Sequence, residues 1–197
     1  REPVSIRAVA MMVSEPPSSM FRAAQLVGRS IRHVREVDGP ALKDAGVEWV
    51  QIAEPAVVAD LSTPDAELAQ HLREAYTTLL GADNRPAVYL TTPYGSARKG
   101  LDVIAELKPE AVQVDLSVGT LALDEGYLER VKNLKSHVVA GLIDGRNVWA
   151  ANLRDLRSKY EDLEGSLDSL SVSTSVSLQH VPHTVEAETK LPADVAT

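Results

Sequence analysis

The residues of this chain best placed to do chemistry are acidic and basic side chains at the ends of apolar runs. Glu54 closes the run Val47-Glu48-Trp49-Val50-Gln51-Ile52-Ala53-Glu54-Pro55, Asp115 lies near the end of Ala111–Leu116, and Asp144 opens the turn Asp144-Gly145-Arg146. A carboxylate so placed can bind a ligand or act as a general acid or base. Arg146 beside two aspartates can grip a substrate carboxylate through paired N–H bonds, which makes an anion or amino-acid site one reading. Thr91 and Thr92 at the end of another run, and His180 after a serine-rich one, add hydroxyls and an imidazole. Val50, Ile52 and Glu54 share one parity, so the face with two apolar side chains also carries the carboxylate.

Each residue also has a plainer reading. Glu54 can hold neighbouring loops by hydrogen bonds, because buried carboxylates are normally paired. Asp144 and Asp115 with Arg146 can form a turn cap and an internal ion pair. His180 and His183 stand three apart, but Pro182 between them opposes a helix and metal ligation is disfavoured. Ser173, Ser175 and Ser177 can line a polar mouth, yet no base partner or G-x-S-x-G elbow marks a nucleophile. Trp49 and Trp149 read as core or rim packing.

The elements that must position these groups alternate regularly. Val4 to Val13 reads as a strand buried on both faces, and Met20, Ala24, Val27, Ile31 and Val34 as the stripe of a helix. Val47 to Pro55, Ala87 to Leu90, Ala111 to Leu116, Val138 to Ile143 and Leu170 to Val176 read as strands. Helices are expected over Ala41–Ala45, from Pro64 with Thr63 as N-cap, over Ala97–Leu107, Asp124–Leu134 and Asn152–Leu163. Gly81 is expected to end the second of these in the left-handed conformation. Six strands alternating with helices imply one domain with a parallel α/β sheet. Both an open doubly wound sheet and a (βα)8 barrel satisfy the pattern. Neither GxGxxG nor GxxxxGK[ST] occurs, which counts against nucleotide-binding versions of the open sheet.

Composition narrows the function classes. The 197 residues are 44% hydrophobic with formal net charge −8. No basic cluster is interleaved with aromatics, so neither nucleic acid nor an anionic membrane is an expected partner. The absence of cysteine excludes disulfides, thiolate zinc sites and a cysteine nucleophile within this chain, and suits a cytoplasmic setting. No run approaches the ~20 apolar residues of a membrane span. The chain begins at Arg1 rather than Met, so a processed form or part of a longer protein is expected.

The motifs carry a resemblance. Gln51-Ile52-Ala53-Glu54-Pro55, Leu90-Thr91-Thr92-Pro93-Tyr94, Val114-Asp115-Leu116, Gly141 to Trp149 (GLIDGRNVW), Ser175 to Pro182 (SVSLQHVP) and Glu188-Thr189-Lys190-Leu191 follow one another in that order. Together they resemble the N-terminal domain of cobalamin-independent methionine synthase, from the first strand almost to the C-terminus. The resemblance implies a (βα)8 TIM barrel with about six of its eight βα units in this chain. It implies membership of an enzyme that moves a methyl group from 5-methyltetrahydrofolate polyglutamate to homocysteine. In that family zinc and its His, Cys, Glu and Cys ligands belong to a second barrel, the implied partner, so no catalytic residue and no cofactor carries over to this chain. Ala53 and Val176 depart from the family's usual Asp and Cys, which implies a first barrel without chemistry of its own. Folate polyglutamate remains a possible ligand. A stand-alone enzyme resembling uroporphyrinogen decarboxylase, acting through Glu54, Asp115, Asp144 and Arg146, and a folate or amino-acid binding module are the alternatives. With two strands missing, unpaired sheet edges would need cover from another segment or chain.

Overall fold

The computed structural model describes residues 35–36, 39–62, 65–98, 100–186 and 188–192, together with the backbone of two short paired strands nearer the N-terminus. Those two, β1 (Ser5–Ile6) and β2 (Arg29–Ser30), pair antiparallel in a sheet of their own. This corrects the expected parallel strand over Val4–Val13 and the helix through Val34. Apolar spacing cannot separate a helical stripe from a segment taken by a ladder, and at Arg29–Ser30 strand pairing prevails. The rest of both spans lies outside the described residues, as do Thr63 and Pro64.

Five strands form the main sheet: β3 (Trp49–Ala53), β4 (Ala87–Thr92), β5 (Ala111–Asp115), β6 (His137–Ile143) and β7 (Leu170–Thr174). All are parallel, and their order in the sheet is their order in the chain. The parallel count among the described residues is therefore five rather than six. A doubly wound sheet reverses its strand order at a switch point, and no reversal occurs here.

Register divides the side chains cleanly. Ile52, Leu90, Val112 and Val138 lie in one row across the sheet, followed towards the C-terminal end by Val114 and Ala140. Against this face pack Leu72, Tyr76 and Leu79 of α2 (Asp65–Leu80), Leu101 and Ile104 of α3 (Gly100–Leu107), and Leu163 of α6 (Leu153–Glu164). Helices from successive crossovers thus cover a single face. Each buried leucine or isoleucine there contributes about 1.5–3 kcal/mol. The other face carries Gln51, Tyr89, Thr91, Gln113, Asp115, His137, Ser171 and Ser173, a polar row rather than a second oily one. Parity along each strand produces the split, because alternate side chains point to opposite faces.

The connections add detail. The first helix, α1 (Gly39–Asp44), ends at Gly46 with φ +80, and Val47 N–H bonds back to Leu42. Gly81 does not adopt the left-handed conformation expected of it; its N–H simply continues the helix to Thr77. The single helix expected over Asp124–Leu134 is instead two short ones, α4 (Val118–Leu123) and α5 (Tyr127–Lys132). Gly126, at φ +88, breaks the path between them and frees Asp124 for contacts off the helix. Asn152 caps α6 by accepting from Arg154 N–H. At Gly141 a Cβ would stand 2.7 Å from both Ser175 Cα and Val114 O. Glycine there lets the chain leaving β7 cross close over the polar face.

Candidate functional site

The polar strand ends share one habit: each spends an oxygen on its own turn. Glu54 Oε1 accepts from Ala56 N–H at 3.2 Å, Asp115 Oδ1 from Ser117 N–H at 3.0 Å, and Asp144 Oδ1 from Arg146 N–H at 2.9 Å. A short acidic side chain after a strand folds onto the backbone two residues ahead and starts the turn. What differs is the second oxygen.

Glu54 gives its Oε2 to the Tyr76 hydroxyl, which donates at 2.9 Å from α2. It therefore faces the helix layer, following the parity of Val50 and Ile52, and not the polar face. Burial pushes its carboxyl above the usual range, although the Tyr76 and Ala56 bonds pull the other way. Burial, with the Glu54 charge beside it, also lifts the Tyr76 phenol well above its ordinary value. As a site residue of a common mouth Glu54 is corrected: it is a brace between β3 and α2.

The two threonines split in the same manner. Thr91 shares the polar face with Gln113, while Thr92 follows Leu90 and Val114 to the helix side. Both are buried and donate to backbone carbonyls, Thr91 to Ile52 at 3.4 Å and Thr92 to Gln113 at 3.0 Å. Beside Thr92, burial pushes the Tyr127 phenol up to about 12. His180 lies in the 3-10 turn Leu178–His180 beyond β7, and its side chain falls outside the described residues.

Asp115, Asp144 and Arg146 do come together. Asp115 is fully buried, and its Oδ2 accepts no hydrogen bond. Arg146 Nη2 stands 3.5 Å from that oxygen and donates to Ser117 Oγ at 3.1 Å, while its Nε stands 3.6 Å from Asp144 Oδ1. Ser117 Oγ in turn lies 3.3 Å from Thr120 Oγ1. Two residues back on the same face of β5, Gln113 gives its amide N–H to Ser175 O at 2.8 Å, leaving its buried Oε1 without a donor.

Arg146 and Thr120 open onto a cleft of about 680 Å³, walled also by Val58, Tyr94, Leu123 and the pair Asp124–Arg130. Arg130 Nη2 donates to both Asp124 oxygens, at 2.8 and 2.7 Å, and Ser96 Oγ donates to Asp124 Oδ2. Burial raises the Asp124 carboxyl, but the Ser96 and Arg130 bonds and the neighbouring arginine charges outweigh it and hold the group below the usual range. The loop facing it is bent at Tyr94 (φ 72) and Arg98 (φ 46), both left-handed for non-glycine residues. Sequence reading missed Ser96, Ser117, Asp124 and Arg130. Asp124 and Arg130 are six apart, a spacing no single helix face brings together, and only Gly126 signals the break. Gln113 was within reach, since it shares the parity of Asp115.

A zinc set of His, Cys, Glu and Cys does not fit this chain. It has no cysteine, and among the described residues no three His, Asp or Glu side chains are grouped to hold a metal. Among those residues, too, no helix is long and apolar enough to cross a membrane.

Comparison with known proteins places the chain. The family described as the cobalamin-independent synthase N-terminal domain matches residues 34–168. The 5-methyltetrahydropteroyltriglutamate–homocysteine methyltransferase of Rhodococcus jostii is 42% identical over 149 residues, which are 75% of this chain and 19% of that protein. The proteins of the same name from Mycobacterium tuberculosis and Mycobacterium leprae are each 40% identical over 76% of this chain, again covering 19% of their length. The chain thus spans about a fifth of the curated relatives it matches. A solved structure assigned as a vitamin-B12 independent methionine synthase from Listeria monocytogenes superposes with TM-score 0.55 at 12% identity, over 71% of this chain and 44% of that one. That last likeness speaks to the fold alone. With its match running from residue 34 to residue 168, the chain belongs to the family of cobalamin-independent synthase N-terminal domains.

Proposed function

We propose that this chain is the supporting lobe of a two-lobed methyltransferase and carries out no chemistry of its own. In this reading the five strands are part of a (βα)8 barrel, since sequential parallel order with helices on one face is how such a barrel is built. Its C-terminal rim packs on a second, zinc-bearing barrel and closes the cleft where a methyl group passes from a folate polyglutamate to homocysteine. The relatives' shared name supplies that reaction. A cytoplasmic setting accords with it.

One observation carries the proposal. Among the described residues, the well-exposed large hydrophobic side chains lie almost wholly between a strand's C-terminal end and the start of the next helix, or beyond β7. Leu61, Tyr94, Leu123, Trp149 and Leu178 represent the five exits, and Leu123 is 90% exposed. None lies in the connections that return to the N-terminal ends, and Val172 on β7 is the exception. Apolar side chains gathered on one rim mark a surface that another body covers. Trp149, 66% exposed, is the natural anchor.

The test uses the intact protein that carries this chain. Trp149→Glu and Leu123→Glu are expected to lower kcat/KM for methyl transfer by about tenfold or more, because a buried anchor typically contributes over 1 kcal/mol. The unfolding midpoint of this lobe should stay in place. Unaltered kcat/KM in both variants would overturn the reading.

A further inference from the structure

We infer that Asp115 and Arg146, at the exits of β5 and β6, form a binding site for a free α-amino acid, with the ligand's ammonium on Asp115 and its carboxylate on Arg146. The inference is independent of the docking role proposed for the rim.

The first ground is unmet hydrogen bonding. Asp115 Oδ2 and Gln113 Oε1 are buried acceptors with no donor, in side chains 0% and 5% exposed. Buried polar atoms without partners are rare and costly. Here two occur on the same face of one strand, two residues or about 6.6 Å apart along it. An ammonium group carries three donors and can reach two acceptors spaced that way.

The second ground is the geometry of Arg146. Two carboxylates stand within 4 Å of its guanidinium, yet at 3.5 and 3.6 Å neither is at the length of a charge-assisted hydrogen bond. Its single side-chain hydrogen bond goes to Ser117. The guanidinium is 41% exposed and lines the cleft, so its remaining N–H groups are presented where a ligand can enter.

Charge selects the ligand class. A simple anion at Arg146 would meet Asp115 and Asp144 within 4 Å of the same guanidinium, and a simple cation at Asp115 would meet Arg146. A molecule with both charges on one carbon can lie antiparallel to the Asp115–Arg146 pair, each end against its opposite. The Asp115–Arg146 separation of 3.5 Å is of the same order as that between the two ends of an α-amino acid. Val58 and Leu123 on the cleft wall suit an apolar side chain.

The test titrates the intact protein with glycine, L-norleucine and L-glutamate at millimolar concentrations, following amide hydrogen exchange in residues 113–120 and 143–148. Norleucine is expected to protect both segments. Hexanoate and pentylamine, which each lack one charge, should bind about tenfold or more weakly, as should norleucine to Arg146→Ala, with Arg146→Lys intermediate. Asp115→Asn should act likewise if it folds; Arg146 is half-exposed, so its variants keep the test open if Asp115→Asn does not. No protection by any of the three amino acids overturns the inference, and so does hexanoate protecting as well as norleucine.

Discussion

Two arginine–aspartate pairs stand on the same cleft and behave oppositely. Arg130 holds Asp124 through bonds of 2.7 and 2.8 Å, with Ser96 adding a third donor. Arg146 faces Asp115 and Asp144 at 3.5 and 3.6 Å and hydrogen-bonds neither through its side chain. The difference begins in the chain. Asp124 sits in a loop loosened by Gly126, with both oxygens available, and Arg130 reaches it from the next helix. Asp115 is fixed at the end of β5 and has already given Oδ1 to its own turn, as Asp144 has. Where the backbone is free to adjust, opposite charges close on each other. Where strand ends fix it, an oxygen and a guanidinium stay apart and remain available to a third body.

The closed pair should be the costly one to break. Asp124→Ala leaves the Arg130 guanidinium, 31% exposed and with Nε already without an acceptor, short of both its bonds. A loss of about 3 kcal/mol in urea unfolding is expected, as for other partly buried pairs deprived of one partner. Acid should act in the same direction. Asp124 is held below the usual carboxylate range, so its contribution is present above about pH 3.9 and disappears as the pH falls through the lower folded value. A variant as stable as the parent at pH 7 would erase the contrast.

Glu54 tests whether a strand-end carboxylate can be closed without an arginine. Tyr76 and Ala56 supply its bonds, yet burial still lifts its carboxyl above the usual range. The sign is then opposite to that of Asp124. Stability from this group is complete below about pH 4.3 and is lost as the pH rises through the folded value. Glu54→Gln keeps an acceptor for Tyr76 and removes the charge. A gain of up to about 1 kcal/mol at pH 7, fading near pH 4, is expected from thermal unfolding at the two pH values. A loss at pH 7 would show that the ionised form is used.

Much of the scaffold was legible from spacing. The five parallel strands fall where apolar runs end in polar residues, and the stripe Leu72, Ala75, Leu79 lies on the core as its period requires. Spacing failed where one residue diverts the chain: Gly126 splits an apparent helix, and a short ladder at Arg29–Ser30 replaces another. Of the candidate site, Asp115, Asp144 and Arg146 were visible because they close strands or turns. Parity could have removed Glu54 from that set, since Val50 and Ile52 already mark its side as the core side. Which arginine meets which aspartate, and how closely, depends on loop paths that no local pattern encodes. The orphan oxygens of Gln113 and Asp115 are of that kind.

The smallest expected effect is the most informative. Arg146→Ala removes one hydrogen bond to Ser117 and two ion pairs too long for hydrogen bonds, from a half-exposed side chain. Surface pairs of that sort contribute between about 0 and 1 kcal/mol, against which stands the buried Asp115 left facing an emptied position. If Arg146 is chiefly a ligand group, the change in urea midpoint should correspond to less than about 1 kcal/mol. If it is the counter-ion on which Asp115 depends, the loss should approach that of Asp124→Ala, about 3 kcal/mol. Measured side by side, the two variants decide whether the open pair is held apart for binding or is a weaker copy of the closed one.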